Sequence, residues 1–442
     1  MEMKPLIYSQ IENDWTGYEV TLKDIVRSDC TYQHYLRYIG EDWDKPKRGP
    51  AIIVDSIEKG IKDLVFKYLK DCYGDRLEVP KKGTLAGFID VGLIGCIEDC
   101  LIDVAVLPDG GFASSTESGK LPLWVTALAA TKAHLLNKKR VFVIVVNRNN
   151  QKWASFSISG DLSIVATEVL EDVKELSERV DGKSPHVGRE SSCFSCGFSK
   201  KCVATKRKAP LPYSVKYLKV SASADLCTAL DRYLVSLNER DSGRAKFCVH
   251  PSEFSVFQCD RRIAYGILGT DKREKIGSHL RRIFDVGHVC HDILQGSLKK
   301  SLGDACELEV PVDHERTKLK GHCDGVVTTP AVRTGIEIKS ISRKGFDKLS
   351  SAKKDHQKQG TLYAVPLDVR RMNYLYINKD TGSIKEFVVP ISKGLWHDLA
   401  ARAESIIKET KNGSMPERIT KEYLCRQCPY AWSCKPEIRS KV

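Results

Sequence analysis

Twice in 442 residues the chain spaces cysteine as C-x2-C-x5-C: "CFSCGFSKKC" holds Cys193, Cys196 and Cys202, and "CRQCPYAWSC" holds Cys425, Cys428 and Cys434. Three thiols so close point to a metal site, and a tetrahedral site asks for a fourth ligand. Each triplet has a lone cysteine far upstream in a similar setting. Cys30 lies in "IVRSDCTYQHYLRYIG" and Cys259 in "FSVFQCDRRIAYGILG", 163 and 166 residues before their triplets. Chance supplies one such triplet; two, each with a distant fourth thiol at nearly equal separation, are poorly explained by it. Spacing does not separate a four-cysteine zinc site from an iron–sulfur cluster, because both take four thiolates. Either closure removes conformational entropy from a long loop, on the order of several kcal/mol. That favours a structural role over a redox one.

The interiors of the two cysteine-bracketed segments also align. "LAGFIDVG" (85–92) sits against "LKGHCDGV" (319–326), and at the same offset "LIDVAV" (101–106) sits against "GIEIKS" (335–340). The chain reads as a tandem duplication with repeats of typical domain size. The first repeat is placed at 1–205 and the second at 245–442. Between them, 206–244 reads as a basic, Pro-containing linker followed by a helix. That helix would carry Leu226, Leu230, Tyr233, Leu234 and Leu237 on one face and pack between the halves.

Charge divides the repeats. Residues 1–205 carry 27 Lys+Arg against 29 Asp+Glu, and 206–442 carry 43 against 28, so the net charge of +13 belongs to the second half. A polyanion partner is expected there. The start, "MEMKPLIYSQIENDW", has no apolar h-region, and the apolar run "VFVIVV" (141–146) is strand-sized rather than membrane-spanning. Sixteen cysteines without a secretory signal point to reduced thiols in a cytoplasmic protein with no membrane contact.

Chemistry concentrates in the second repeat. "HCDGVV" and "GIEIKS" read as adjacent strands. Glu337 and Lys339 are two apart and project from one face, and a hairpin pairing brings Asp324 beside them. Two carboxylates and a lysine are costly to bury without a partner, and a hard divalent cation, Mg²⁺ or Mn²⁺, resolves that cost. Upstream, "RRIFDVGHVCHDIL" reads as a helix with Gly287 and His291 four residues apart, so His291 can complete the metal shell, with His288 and His356 as alternatives. Downstream, "DHQKQGTLYAV" puts Gln359 and Tyr363 on one helical face. Taken singly, an E-x-K is most often a surface ion pair and a lone helical histidine a structural residue. The order G-x3-H, G-x-x-D, E-x-K, Q-x3-Y within one cysteine-bracketed domain is what gives them weight.

On those residues, 245–442 resembles the RecB-like branch of the PD-(D/E)xK nucleases. More narrowly, it is similar to the CRISPR-associated iron–sulfur exonucleases, which have a C-terminal cysteine triplet and one upstream cysteine. The resemblance implies an α/β fold class: two tandem restriction-endonuclease-like domains, each a central mixed sheet flanked by helices. It implies that His291, Asp324 and Glu337 bind Mg²⁺ or Mn²⁺, that Lys339 is catalytic, and that Gln359 and Tyr363 support it. It implies a [4Fe–4S] cluster on Cys259, Cys425, Cys428 and Cys434. A second iron–sulfur or zinc site would fall on Cys30, Cys193, Cys196 and Cys202. The implied reaction is phosphodiester hydrolysis, exonucleolytic on single-stranded DNA. A non-catalytic nucleic-acid clamp and a defence or restriction endonuclease are the competing readings. The family's usual member has one nuclease domain, whereas this chain has two related halves.

The first repeat departs from the motif. Asp324 and Glu337 map to Asp90 and Asp103, but Lys339 maps to Ala105 and His291 falls near Leu64, after Gly60. "LWVTALAATKAHLL" offers no Gln/Tyr pair in place. The expectation is an inactive copy with a structural or protein-recruiting role and, at most, a weak metal site at Asp90 and Asp103.

Overall fold

The computed structural model describes residues 2–4, 7, 49–78, 84–85, 89–90, 95–180, 213–239, 247–256, 259–270, 276–419, 422–426 and 428–434. The chain divides into two compact units, Ile11–Leu234 on the one hand and Met1–Gln10 with Val235–Val442 on the other. The first cluster predicted, Cys30, Cys193, Cys196 and Cys202, lies outside the described residues.

The first unit opens with helix α1 (Gly49–Tyr73). Strands β1 (Thr84–Leu85) and β2 (Ile89–Asp90) pair in a small sheet of their own. The main sheet follows: β3 (Gly95–Ile97), β4 (Cys100–Leu107), helices α2 (Asp109–Ser118) and α3 (Leu123–Leu135), β5 (Arg140–Asn147), β6 (Trp153–Ser159), helix α4 (Leu162–Val180) and β7 (Lys219–Ser223). The strand order is β3-β4-β5-β6-β7, with β4 and β5 parallel and the other neighbours antiparallel. "CLIDVAVL" and "RVFVIVVN" are near-continuous apolar runs because they are the central strands, covered on both faces. Helix α5 (Asp225–Ser236) closes the unit.

The second unit adds α6 (Pro251–Val256), α7 (Asp260–Ile267), α8 (Ser278–Leu302), β8 (Cys306–His314), β9 (Leu319–Thr328), β10 (Arg333–Ile341), α9 (Arg343–Asp347), α10 (Lys354–Ala364), β11 (Arg371–Asn378), β12 (Ile384–Pro390), α11 (Lys393–Lys411), α12 (Glu422–Arg426) and α13 (Ala431–Cys434). Its sheet runs β12-β11-β10-β9-β8, with β10 and β11 parallel. Val286, Cys290, Leu294 and Leu298 recur at helical spacing and bury one stripe of α8. Met3 and Lys4 tie the chain's start to this unit through backbone N–H bonds to the Glu386 carboxylate.

The fold class expected from sequence is the one adopted: two α/β units, each a central mixed sheet flanked by helices. The correspondence extends to detail. In each unit a 25-residue helix precedes an antiparallel–parallel–antiparallel run of strands, β3-β4-β5-β6 in one and β9-β10-β11-β12 in the other.

The segment between the repeats is not a plain linker. "KVSAS" alternates and adds β7 to the edge of the first sheet, where Ser155 Oγ donates to the Ser223 carbonyl and Ser157 Oγ to that of Ser221. The helix predicted to pack between the halves belongs to the first unit through Leu234. Its Leu226, Leu230 and Leu234 are buried, and Tyr233 donates from its hydroxyl to Asp71 of α1 at 2.8 Å. The apolar stripe was legible in the sequence. Which surface it covers depends on α1, far away along the chain.

Candidate active site

Asp324 sits where the ladder around β9 is interrupted. On one side the partners run Leu308↔Gly325 and then Val310↔Cys323, and on the other they end at Ile336↔Gly325. Opposite the gap, Glu309 takes a positive φ of 48°. Side chains fill the lapse. Asp324 Oδ2 accepts the Ile338 backbone N–H at 2.6 Å. Gln295, one helical turn beyond His291 on α8, donates from Nε2 to the Asp324 carbonyl at 2.9 Å and to Glu309 Oε1 at 2.6 Å. The Asp324 carboxylate thereby faces α8, and His291 Nδ1 stands 3.5 Å from its Oδ1. Gly287, a turn before His291, lies over Ser340 of β10, where an added Cβ would come within 3.5 Å of the hydroxyl.

Glu337 and Lys339 share a face of β10, as their spacing predicts, and Lys339 Nζ is 2.5 Å from Glu337 Oε1. Glu337 is 1% exposed, and neither carboxylate oxygen has a well-formed hydrogen bond. The lysine contact is thus a close ion pair without hydrogen-bond alignment, and Oε2 meets no partner. Burial is the main influence on this carboxyl, and it outweighs Lys339 and lifts the pKa to about 7. Burial also works against the Lys339 ammonium, but Glu337 and Asp324 more than offset it and the net shift is upward. The same balance holds for His291: burial pulls down, the Asp324 hydrogen bond and charge push further up, and the net shift is upward. The direction is consistent. The site holds its cations charged, and one lysine does not suffice to keep Glu337 ionised.

Gln359 and Tyr363 are both buried on α10, with Gln359 Nε2 3.2 Å from the Tyr363 hydroxyl. Burial, then the Glu337 charge, raise the Tyr363 pKa, so it is a phenol and not a phenolate. Of the two alternative histidines, His288 is exposed. His356 Nδ1 is 2.8 Å from the Tyr376 hydroxyl, with its ring stacked on Tyr376, and burial takes its pKa down to about 4. His291 is the histidine beside the carboxylates. Gln295, Glu309 and Tyr376 were not read as site residues from sequence, because the backbone lapse at Asp324 and the β10–β11 register that pairs Lys339 with Tyr376 leave no sequence pattern.

A divalent cation fits the donor set. Glu337 offers a buried oxygen without a partner, and Asp324 and His291 converge from β9 and α8. Among the described residues no three His, Cys, Asp or Glu side chains stand close enough together to hold a metal ion as they are; Lys339 stands against one Glu337 oxygen instead.

The first unit resolves its charges differently. Asp103 is buried on β4, and both its oxygens take hydrogen bonds of 3.1 Å from Lys132 Nζ on α3. Both side chains are nearly inaccessible, at 3% for Lys132 and 5% for Asp103. Counted back from the following parallel strand, Lys132 stands eight residues before Arg140, as Tyr363 stands eight before Arg371. Asp90, the predicted mate of Asp103, lies on β2, outside the five-stranded sheet that contains Asp103, whereas Asp324 lies on β9 inside its own. The Asp90 side chain falls outside the described residues. Ala105 and Leu64 offer no ligand.

Cys259 caps the start of α7, and Cys425, Cys428 and Cys434 lie on the last turns of the described chain; all four are half-buried. The two ends of the domain meet here. Tyr430 is buried and stacks on Tyr265 of α7 at 5.3 Å. Burial raises the Cys428 pKa, and Cys259 and Cys425 stand close enough to raise it further. Burial, the main influence on Arg262, lowers its pKa, opposed by Cys428, Tyr430 and Cys259.

No family model matches this chain, and no curated protein does. Among solved structures it is similar to SSO0001, at 19% identity over 47% of this chain and 96% of that one, with a TM-score of 0.32. It is also similar to LHK-Exo in complex with dAMP, at 15% identity over 41% and 93%, with a TM-score of 0.31. A second structure of that alkaline exonuclease, from Laribacter hongkongensis, matches at 13% identity over the same shares, with a TM-score of 0.31. Likeness of this degree carries no inference about activity.

Proposed function

We propose that the chain is a divalent-metal-dependent PD-(D/E)xK deoxyribonuclease. It would act as an exonuclease on single-stranded DNA ends, with chemistry in the second unit alone. The observation that carries this reading is Glu337: a carboxylate 1% exposed, with one oxygen unpartnered, on the strand face it shares with Lys339 and beside the Asp324–His291 pair. A buried charge left so is costly unless a ligand completes it.

Asp324, Glu337 and His291 would hold Mg²⁺ or Mn²⁺, which when bound supplies positive charge to the phosphodiester and makes water a better nucleophile. Lys339 would place its ammonium against the charge that develops on the phosphate and hydrogen-bond the attacking water. Tyr363, kept neutral and tethered to Gln359, would donate a hydrogen bond to a phosphate oxygen or accept one from the Lys339 ammonium. The Ile338 N–H and Gln295 would keep Asp324 in place.

The four-iron cluster on Cys259, Cys425, Cys428 and Cys434 would tie the domain's end to its start. Support comes from the cysteine spacing and from the Cys259 and Cys425 thiols, which both act electrostatically on Cys428 beside buried Tyr430. The first unit would be an inactive copy that serves structure or recruits a protein partner, since Lys132 neutralises Asp103 and Ala105 stands where the lysine would be.

The decisive experiment is cleavage of single-stranded DNA with Mg²⁺ or Mn²⁺ by the wild type, Lys339→Ala and Glu337→Ala. Activity surviving both changes rules the reading out. Closed circular DNA separates an end-dependent exonuclease from a restriction-type enzyme, because only the latter cuts it. An absorption spectrum of protein purified without air, with iron and sulfide analysis, tests the cluster; zinc in their place would exclude it.

A further inference from the structure

In both units the inner parallel strand ends on an asparagine followed by a cation, Asn147–Arg148 on β5 and Asn378–Lys379 on β11. The turns match bond for bond. Asn147 Oδ1 accepts from the Asn149 and Asn150 N–H groups, and Asn378 Oδ1 from those of Asp380 and Thr381. The Arg148 N–H donates to the Leu107 carbonyl at the end of β4, and the Lys379 N–H to the Ile341 carbonyl at the end of β10. The two cations therefore occupy one structural position.

Their counter-charges differ. Arg148 Nη1 meets Glu58 Oε1 of α1 at 2.6 Å, with both side chains almost buried. Lys379 is 5% exposed, and among the described residues its ammonium has neither a carboxylate nor a hydrogen-bond partner. Its neighbour Asp380 turns to Arg343, 3.7 Å away. A lysine held in place with no counter-charge leaves its ammonium to an anion from solution. Lys379 stands at the carboxyl ends of the parallel strands β10 and β11, just beyond the Ile341↔Asn378 pair and three residues past Tyr376, the partner of Lys339. It also belongs to the half of the chain that holds the basic excess.

We infer that Lys379 is a phosphate-binding lysine, which receives a phosphodiester group of a nucleic-acid strand next to the one addressed by Glu337 and Lys339. The place relative to the cut rests on the nuclease reading; the binding of an anion at Lys379 does not. In the first unit Glu58 occupies that anion's place, so the copy is closed to phosphate as it is closed to metal.

The test is binding of a single-stranded oligonucleotide in EDTA across a salt series, by fluorescence anisotropy, for wild type, Lys379→Met and Lys379→Arg. Removing one phosphate contact should flatten the slope of log affinity against log salt by about 0.7. Lys379→Arg should keep the slope. The unfolding midpoint of Lys379→Met should not fall, because no internal partner is left behind. An unchanged slope in Lys379→Met overturns the inference, and so does a large drop in its midpoint. The two readings fail separately. A wild type that cuts DNA while Lys379→Met leaves the slope unchanged loses only this inference. A wild type whose binding depends on Lys379 but which cuts nothing with Mg²⁺ or Mn²⁺ loses only the nuclease reading.

Discussion

The two halves share a chain path and divide on how they treat buried charge. In the first, Asp103 is answered by Lys132 and Arg148 by Glu58, each within the unit. In the second, Glu337 keeps an oxygen without a partner and Lys379 has no counter-charge among the described residues. On the proposed reading, a site that awaits a cation and an anion must leave charges open and bear the cost. A copy relieved of that duty would close the gaps with side chains, here from α3 and α1. The lysine that meets Asp103 comes from the helix where the second unit keeps Tyr363.

The largest effect should come from breaking the closed half. Lys132→Met leaves Asp103 buried and alone, a change that costs about 3–5 kcal/mol in comparable pairs. Chemical denaturation should show it as a lowered midpoint, with cleavage per folded molecule unchanged. A loss of cleavage without loss of stability would mean that the first half takes part in catalysis.

Next is the open half. Asp324→Asn preserves shape but weakens the grip on a cation, and cleavage should fall on the order of 10²–10³-fold, while Asp103→Asn leaves the rate nearly intact. Equal losses in the two variants would erase the contrast between the halves. A smaller effect follows by linkage. Mn²⁺ at a hundred times its dissociation constant should stabilise the protein by about 2.7 kcal/mol. Thermal unfolding with and without metal measures this, and the gain should vanish in Glu337→Gln but persist in Asp103→Asn. Persistence in Glu337→Gln would place the cation elsewhere.

Much of this was legible in the residues. Glu337 and Lys339 share a face because strand side chains alternate, and Gln359 and Tyr363 because helix positions four apart stack. The duplication was visible in "LIDVAV" and "GIEIKS", which lie on the matching strands β4 and β10. What stayed hidden depends on contacts between distant segments. Lys132 sits in "ATKAHLL" as an ordinary helix cation, and only the packing of α3 on β4 carries its ammonium to Asp103. The pairing of Asp90 with Asp103 followed from equal spacing to Asp324 and Glu337, yet β2 pairs with β1 and not within the main sheet. Lys379 looks like a turn residue until its match with Arg148 shows what it lacks.

The smallest effect sharpens the comparison most, since it concerns a residue with no charge. Gln295 lies eight residues after Gly287, and the same step from Gly60 reaches Tyr68, which is buried and packs near Tyr233. The first half fills this position with an aromatic ring. The second spends it on an amide that bonds the Asp324 carbonyl and Glu309 across the broken ladder. If Gln295 holds the backbone that aims Asp324, Gln295→Met should weaken Mn²⁺ binding about tenfold, as loss of an outer-shell partner does elsewhere. Cleavage should return toward the wild-type rate as Mn²⁺ is raised, and stability in EDTA should change little. A rate that stays low at saturating Mn²⁺, or a collapse of the metal-free fold, would assign Gln295 to packing and leave the aim of Asp324 to the Ile338 N–H alone.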